Sequence, residues 1–101
     1  VRWGIRRDMP RVLLIERETG GAWSEDDFLF HLAERNKILI VAEGPAGEVT
    51  GFAVYHLQEY AIAVLDMAAL DPAARAAILA KLAYKGEQHR RPLVWSDGAP
   101  F

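Results

Sequence analysis

The chain has 101 residues, with 12 Lys or Arg against 14 Asp or Glu, for a formal charge of −2. Half of it, 51%, is apolar and 26% is charged, the balance of an ordinary globular domain, and the length fits one domain spanning 1–101. Cysteine is absent, which excludes disulfide scaffolds, thiolate zinc sites and Cys nucleophiles. No apolar run approaches the ~20 residues of a bilayer span, so no membrane partner is expected. The first residues lack the apolar stretch of a secretory signal, and the expected location is cytoplasmic.

Residues 1–7 alternate, with Val1, Trp3 and Ile5 on one side and Arg2 and Arg6 on the other, the period-two pattern of a strand. Asp8 follows as an N-cap, and Pro10 is tolerated in the first turn of the helix it opens. Met9, Val12, Leu13 and Glu16 share one side of that helix, and Gly20-Gly21 ends it. Ser24-Glu25-Asp26-Asp27 is a close variant of the capping box, with Trp23 and Phe28 at the two positions of a hydrophobic staple. The second helix is expected to run to Asn36.

Lys37 to Glu43 is a β-branched run, and Gly44-Pro45-Ala46-Gly47 is turn chemistry. Glu48 to Tyr60 then alternates as a second strand of an antiparallel hairpin. Ala61 to Leu70 is a further strand. Asp71-Pro72 opens a helix as N-cap and N1, with Ala74, Ile78 and Leu82 on one side and Gly86 as its expected stop. Pro92 to Trp95 is a short last strand. The order β-α-α-β-β-β-α-β predicts an α/β (α+β) domain with a mixed, mainly antiparallel sheet of about five strands flanked by helices.

The pieces Ile5-Arg6-Arg7-Asp8, Ile15-Glu16, Trp23-Ser24-Glu25-Asp26-Asp27-Phe28, Val41-Ala42-Glu43 and Val49-Thr50-Gly51-Phe52 occur in that order. In order and spacing they resemble the first part of the GCN5-related N-acetyltransferases (GNAT), specifically the RimI-type enzymes that acetylate ribosomal-protein N-termini. The resemblance covers residues 1 to about 70 and continues loosely through 72–85. It implies a GNAT-like fold and an acetyl-CoA cofactor, gripped by the backbone of a bulged strand at Met67, Ala68 and Ala69, with Arg75 near the phosphates.

The departures from the family pattern are expected to matter as much. The family's loop of the form Arg/Gln-x-x-Gly-x-Gly/Ala cradles the cofactor pyrophosphate on backbone N–H groups. Here Met67-Ala68-Ala69-Leu70-Asp71-Pro72 runs straight into the next helix, and no glycine lies between Gly51 and Gly86. Trp95 stands where the family strand often carries a carboxylate base, and the family's last helix, with its tyrosine acid, has no counterpart before Phe101. The expectation is a truncated, GNAT-like domain with no catalytic residues and no cofactor.

Other chemistry is thin. His31, His56 and His89 have no metal-ligand spacing, so no metal is expected, and Ser24 is a cap rather than a nucleophile. Asp66, in the middle of an apolar strand, is either an outward-facing acid or a buried carboxylate beside a cleft. Glu16, Glu43 and Glu59 are expected in solvent, and Trp3 and Trp23 in the core. Arg2, Arg6, Arg7, Arg11 and Arg17 are diluted by Asp8, Glu16 and Glu18 and suggest a solvated face.

Three functions follow. The first is a degenerate acetyltransferase relative acting as an interaction or dimerisation module. The second is an N-acetyltransferase or acyl-CoA binder that reaches its cofactor differently, and the third is a nucleic-acid accessory domain. The first is preferred, with a homodimer through the apolar edge strand around Leu93 and Trp95, whose unpaired backbone groups invite a second chain.

Overall fold

A computed structural model describes all residues 1–101. Five strands, β1 (Arg2–Trp3), β2 (Lys37–Glu43), β3 (Val49–Leu57), β4 (Ile62–Ala69) and β5 (Leu93–Trp95), and three helices, α1 (Met9–Glu18), α2 (Glu25–Leu32) and α3 (Pro72–His89), follow the expected order. The sheet runs β1-β2-β3-β4-β5. Its first three pairings are antiparallel, and β4 and β5 lie parallel, as a crossover through a helix requires.

The central strand is covered on both faces. Val49 through Tyr55 are all buried, where a one-sided sheet would bury alternate residues. Phe52 and Val54 join Val12, Ile15 and Phe28 in a core under α1 and α2. Ala53 and Tyr55 join Ile40, Val64, Ile78 and Leu82 in a second core under α3. Gly51 sits where α3 approaches the sheet. A Cβ there would come 2.9 Å from Ile78 Cδ1 and 3.2 Å from the Ala68 carbonyl oxygen, so the close approach requires glycine.

The first strand is shorter than its alternation suggests. After Trp3 the chain turns, and Arg6–Asp8 form a 3₁₀ turn. The cause is Asp8, which does not cap α1 with its side chain. Its Oδ2 accepts the Ile5 N–H at 2.7 Å, and both carboxylate oxygens receive the Arg2 guanidinium at 2.9 Å. This pairing, helped by the Ile5 N–H, holds the Asp8 carboxyl below its ordinary range despite burial. Trp3 lies 68% exposed rather than in the core, because β1 is the sheet edge and its indole has no helix above it.

The Ser24 box forms as expected. Ser24 Oγ accepts the Asp27 N–H at 3.2 Å, and Asp27 Oδ2 accepts the Ser24 N–H at 2.8 Å. The Trp23 and Phe28 rings meet edge to face at 5.1 Å. α2 ends at Leu32 rather than Asn36, since Asn36 takes a left-handed φ of 65° and gives its carbonyl to the Leu57 N–H. β3 and β4 are likewise slightly shorter than the apolar runs that encode them. α3 runs past Gly86 to His89, where Arg90 adopts φ 54° and the Arg91 N–H closes on the Gly86 carbonyl at 2.9 Å. That is the closure of a Schellman-type C-terminus.

The outer edge of β5 carries part of the chain's own tail. Trp95 N–H donates to the Ala99 carbonyl at 2.9 Å, Val94 bridges to Pro100, and the Trp95 and Phe101 rings lie 4.5 Å apart. The open edge expected at 92–95 is thus partly filled by residues 96–101.

Ser24→Ala removes the α2 cap and lowers stability by about 1 kcal/mol, read as a reduced Tm, with any binding activity unchanged. Asp8→Asn weakens the charged bonds to Arg2 and costs about 1–2 kcal/mol, less than a fully buried pair because Arg2 is part-exposed. Because the folded-state pKa of Asp8 is depressed, its contribution is present above the ordinary carboxylate range and lost as pH falls below it. Urea unfolding from about pH 6 to about pH 3 therefore shows a smaller acid loss for Asp8→Asn than for wild type.

Candidate functional site

The register of β3 against β4 slips between Val54 and Tyr55. Val54 faces Asp66 and Tyr55 faces Val64, so Leu65 is an extra, bulged residue. The bulge changes which side of the sheet each later residue meets. Ile62 and Val64 face α3, and after the extra residue Met67 and Ala69 take that side while Ala68 packs under α1 and α2. Asp66 pairs across from Val54 and therefore faces α1.

On its other edge β4 pairs with β5 only through Ile62, Ala63 and Val64. Beyond Trp95 the chain turns away at Ser96–Gly98, and Leu65–Ala69 have no strand on that side. Three of the residues the sequence singles out lie on this unpaired stretch: Met67 and Ala69 are half-buried and Ala68 is buried, while Arg75 is exposed one turn into α3. Trp95, at the last β4–β5 pairing, is 36% exposed.

The start of α3 is partly satisfied from within. A helix leaves its first four N–H groups without intrahelical acceptors, and here Pro72 has none to offer. The Ala74 N–H goes to Asp71 Oδ1 at 2.7 Å, and the Arg75 N–H to the Asp71 carbonyl at 3.2 Å. The Arg75 bond is the first of the helix's own ladder, so the Asp71 and Ala73 N–H groups remain, beside the Asp71 carboxylate.

Asp66 is not an outward-facing acid. Burial, and then the neighbouring Glu16 carboxyl within hydrogen-bonding reach, push its pKa up to about 7. Its Oδ2 is buried with no partner. Glu16 is 1% exposed, contrary to its expected place in solvent, because its side chain turns under the Gly20–Trp23 loop and Oε2 accepts the Trp23 N–H at 3.1 Å. Glu43 stays half in solvent and pairs with Arg2 at 3.0 Å, and Glu59 is exposed. The sequence signal for the Glu16–Asp66 pair was an acid on each of two apolar runs; its partnership needed the bulge, which no local pattern encodes.

The other candidates stay apart. No three His, Asp or Glu side chains gather at metal-binding distance. His31 stacks on Trp23 at 4.5 Å, His56 meets Gln58, and His89 ends α3. Of the N-terminal arginines, Arg2 is held by Asp8 and Glu43, and Arg11 Nε donates to the Val49 carbonyl. A groove of about 750 Å³ lies at the opposite sheet edge between Trp3, Ile5, Leu29 and Ile38, with Arg6, Glu25 and Lys37 also on its lining. No helix is long and apolar enough to cross a membrane.

Comparison with known proteins bears on this geometry. Two solved structures of the BH1408 protein from Bacillus halodurans, a tetramutant and a single mutant, share the fold with TM-scores of 0.70 and 0.69. Both are 13% identical in sequence, cover 93% and 92% of this chain, and are themselves covered to 79% and 78%. A search of curated proteins gives no match. The family model described as "Acetyltransferase (GNAT) domain" matches residues 14–95, from α1 through the last strand. With that match over most of its length and the bulged, splayed sheet beneath it, the chain belongs to the GNAT acetyltransferase family.

Proposed function

We propose that this domain is a RimI-type relative of the acetyltransferases that has lost acetyl transfer and works as an interaction or dimerisation module. The RimI-type assignment draws on the run from Ile5-Arg6-Arg7-Asp8 through Trp23-Ser24-Glu25 to Val49-Thr50-Gly51-Phe52. The observation that carries the loss of chemistry is Asp71. Its carboxylate sits on the Ala74 N–H, in the place where an anionic ligand would draw on a helix start. A pyrophosphate there would have to displace that carboxylate and accept its charge, with Arg75 as the nearby cation. The residues present do not fit the phosphate end of acetyl-CoA, and no catalytic step is assigned to them.

A second reading, an acyl-CoA binder that grips only the pantetheine arm, draws on the Leu65 bulge and the free edge of Leu65–Ala69. Calorimetric titration of the full chain with acetyl-CoA separates the two. The module predicts no measurable heat of binding, and a dissociation constant at or below about 10 μM overturns it and restores the enzyme. A nucleic-acid role is the weakest, since Arg2 and Arg11 are already engaged within the fold.

The module reading places its partner at β5. Trp95 and Phe101 stack on each other while each stays partly in solvent, and the 96–101 turn is held by few bonds. Exchange of that turn between two copies would keep the Trp95 N–H to Ala99 bond and bury both rings in a two-fold pair. Sedimentation at micromolar concentration is expected to give the mass of two chains, falling toward one in Trp95→Ala. A one-chain mass unchanged by that substitution rejects the dimer.

A further inference from the structure

The Gly20–Trp23 loop between α1 and α2 lies directly on the Glu16 carboxyl. A Cβ on Gly21 would collide with both Glu16 carboxylate oxygens, the Gly21 N–H closes on the Glu16 carbonyl at 2.8 Å, and the Trp23 N–H reaches Glu16 Oε2 at 3.1 Å. Underneath, Glu16 meets Asp66, presented by the β4 bulge. Two carboxylates in this position would repel each other, with Asp66 Oδ2 orphaned and buried. One proton removes both difficulties. Glu16 Oε2 already accepts the Trp23 N–H, and a protonated Asp66 has an O–H to give the same carboxyl.

We propose that Glu16 and Asp66 hold one proton between them and that this proton latches the Gly20–Trp23 loop onto the bulge of β4, so that its loss releases the loop. The latch is a conformational switch, and it does not depend on whether the chain binds acetyl-CoA. It couples the protonation of a pair beside the β4 edge to the order of the loop and, through Trp23 and Phe28, to the start of α2. In the closed loop Asp66 binds its proton more tightly than an ordinary, solvated Asp. The proton's contribution is therefore in place in acid and drains away as pH rises from about 4 to about 7.

The charges around the pair are few. Asp66 feels Glu16 from α1 and a backbone N–H at Met67 from its own strand, β3 offers Val54, and residues 20–23 carry no ionisable side chain. From α2, His31 stacks on the Trp23 indole at 4.5 Å. Its Nδ1 lies 3.2 Å from Lys37 Nζ, which pairs with Glu34 at 3.1 Å. His31, which reaches the loop through the Trp23 ring, and Asp27, which holds the Ser24 N–H at 2.8 Å, are the α2 groups beside it, and the His31→Gln variant separates the imidazole.

Amide hydrogen exchange of the full chain reads the latch at the Trp23 N–H. Expressed as a protection factor, protection is expected to fall about tenfold or more between about pH 5.5 and about pH 8 in the wild type. Asp66→Asn, whose amide gives Glu16 a permanent donor, is expected to hold its protection across that range, and His31→Gln to lose it as the wild type does. A flat wild-type profile, an equal fall in Asp66→Asn, or no fall in His31→Gln overturns the proposal. Should Asp66→Asn not fold, infrared spectroscopy of the wild type decides alone. A protonated-carboxyl band that persists at about pH 5.5, where ordinary carboxyls have ionised, supports the shared proton, and its absence at that pH overturns it.

Discussion

Burial of β3 on both of its faces is the constraint on which the rest of the structure depends. A strand with Phe52 and Val54 on one side and Ala53 and Tyr55 on the other needs a helical layer above and below. α1 and α2 supply one layer, and α3 alone supplies the other. Both layers mix large and small side chains: Phe28 and Phe52 fill the space under the pair of helices, and Tyr55, Ile62 and Ile78 lie with Ala42, Ala53 and Ala74 under the single helix. The uneven supply sets the topology, because α3 can lie on that face only as the crossover that brings β5 parallel to β4.

Acids in this small domain are handled in three different ways, and the contrast separates structural from functional carboxylates. Asp8 is almost wholly buried but meets a guanidinium and a backbone N–H, so its charge is kept. Asp71 lies at the rim and accepts the Ala74 N–H at the start of its own helix. Asp66 meets another acid and no cation, so its charge is disfavoured. That arrangement lies beside the Leu65 bulge of β4.

The fold was largely legible in the sequence because its signals are local. The Ser24 box, the β-branched run at 38–41, the Asp71-Pro72 start and the turn at 44–47 each depend on neighbours a few residues away, and each formed as its chemistry requires. What was not legible depends on distant partners. Asp8 looks like an N-cap until Arg2 is brought to it by β1 pairing with β2. Gly86 looks like a helix stop until Arg91 folds back on it. Glu16 and Asp66 stand fifty residues apart, and the bulge that turns one toward the other breaks the very alternation on which a sequence reading relies. Trp3 and Glu16 exchanged their expected environments for the same reason: a residue's type says how readily it is buried, while the layer above it decides whether it is.

Gly51 carries a consequence for how this sequence can drift. It touches α3 through Ile78 and the neighbouring strand through the Ala68 carbonyl, one contact made by a side chain and the other by backbone. A shorter residue at 78 would clear room on the helix side for a methyl group at 51, but the Ala68 carbonyl and the Ala69 methyl, each 3.2 Å from that position, would still have to yield by a few tenths of an ångström. Exchange between the two positions is therefore unequal: Ile78 can shrink while Gly51 stays, whereas growth at Gly51 also has to shift the β3–β4 pairing. A compensating pair of changes, the usual route by which packed cores wander, is costly at this crossing. The helix has to keep its height over the sheet through every later change in the residues around it.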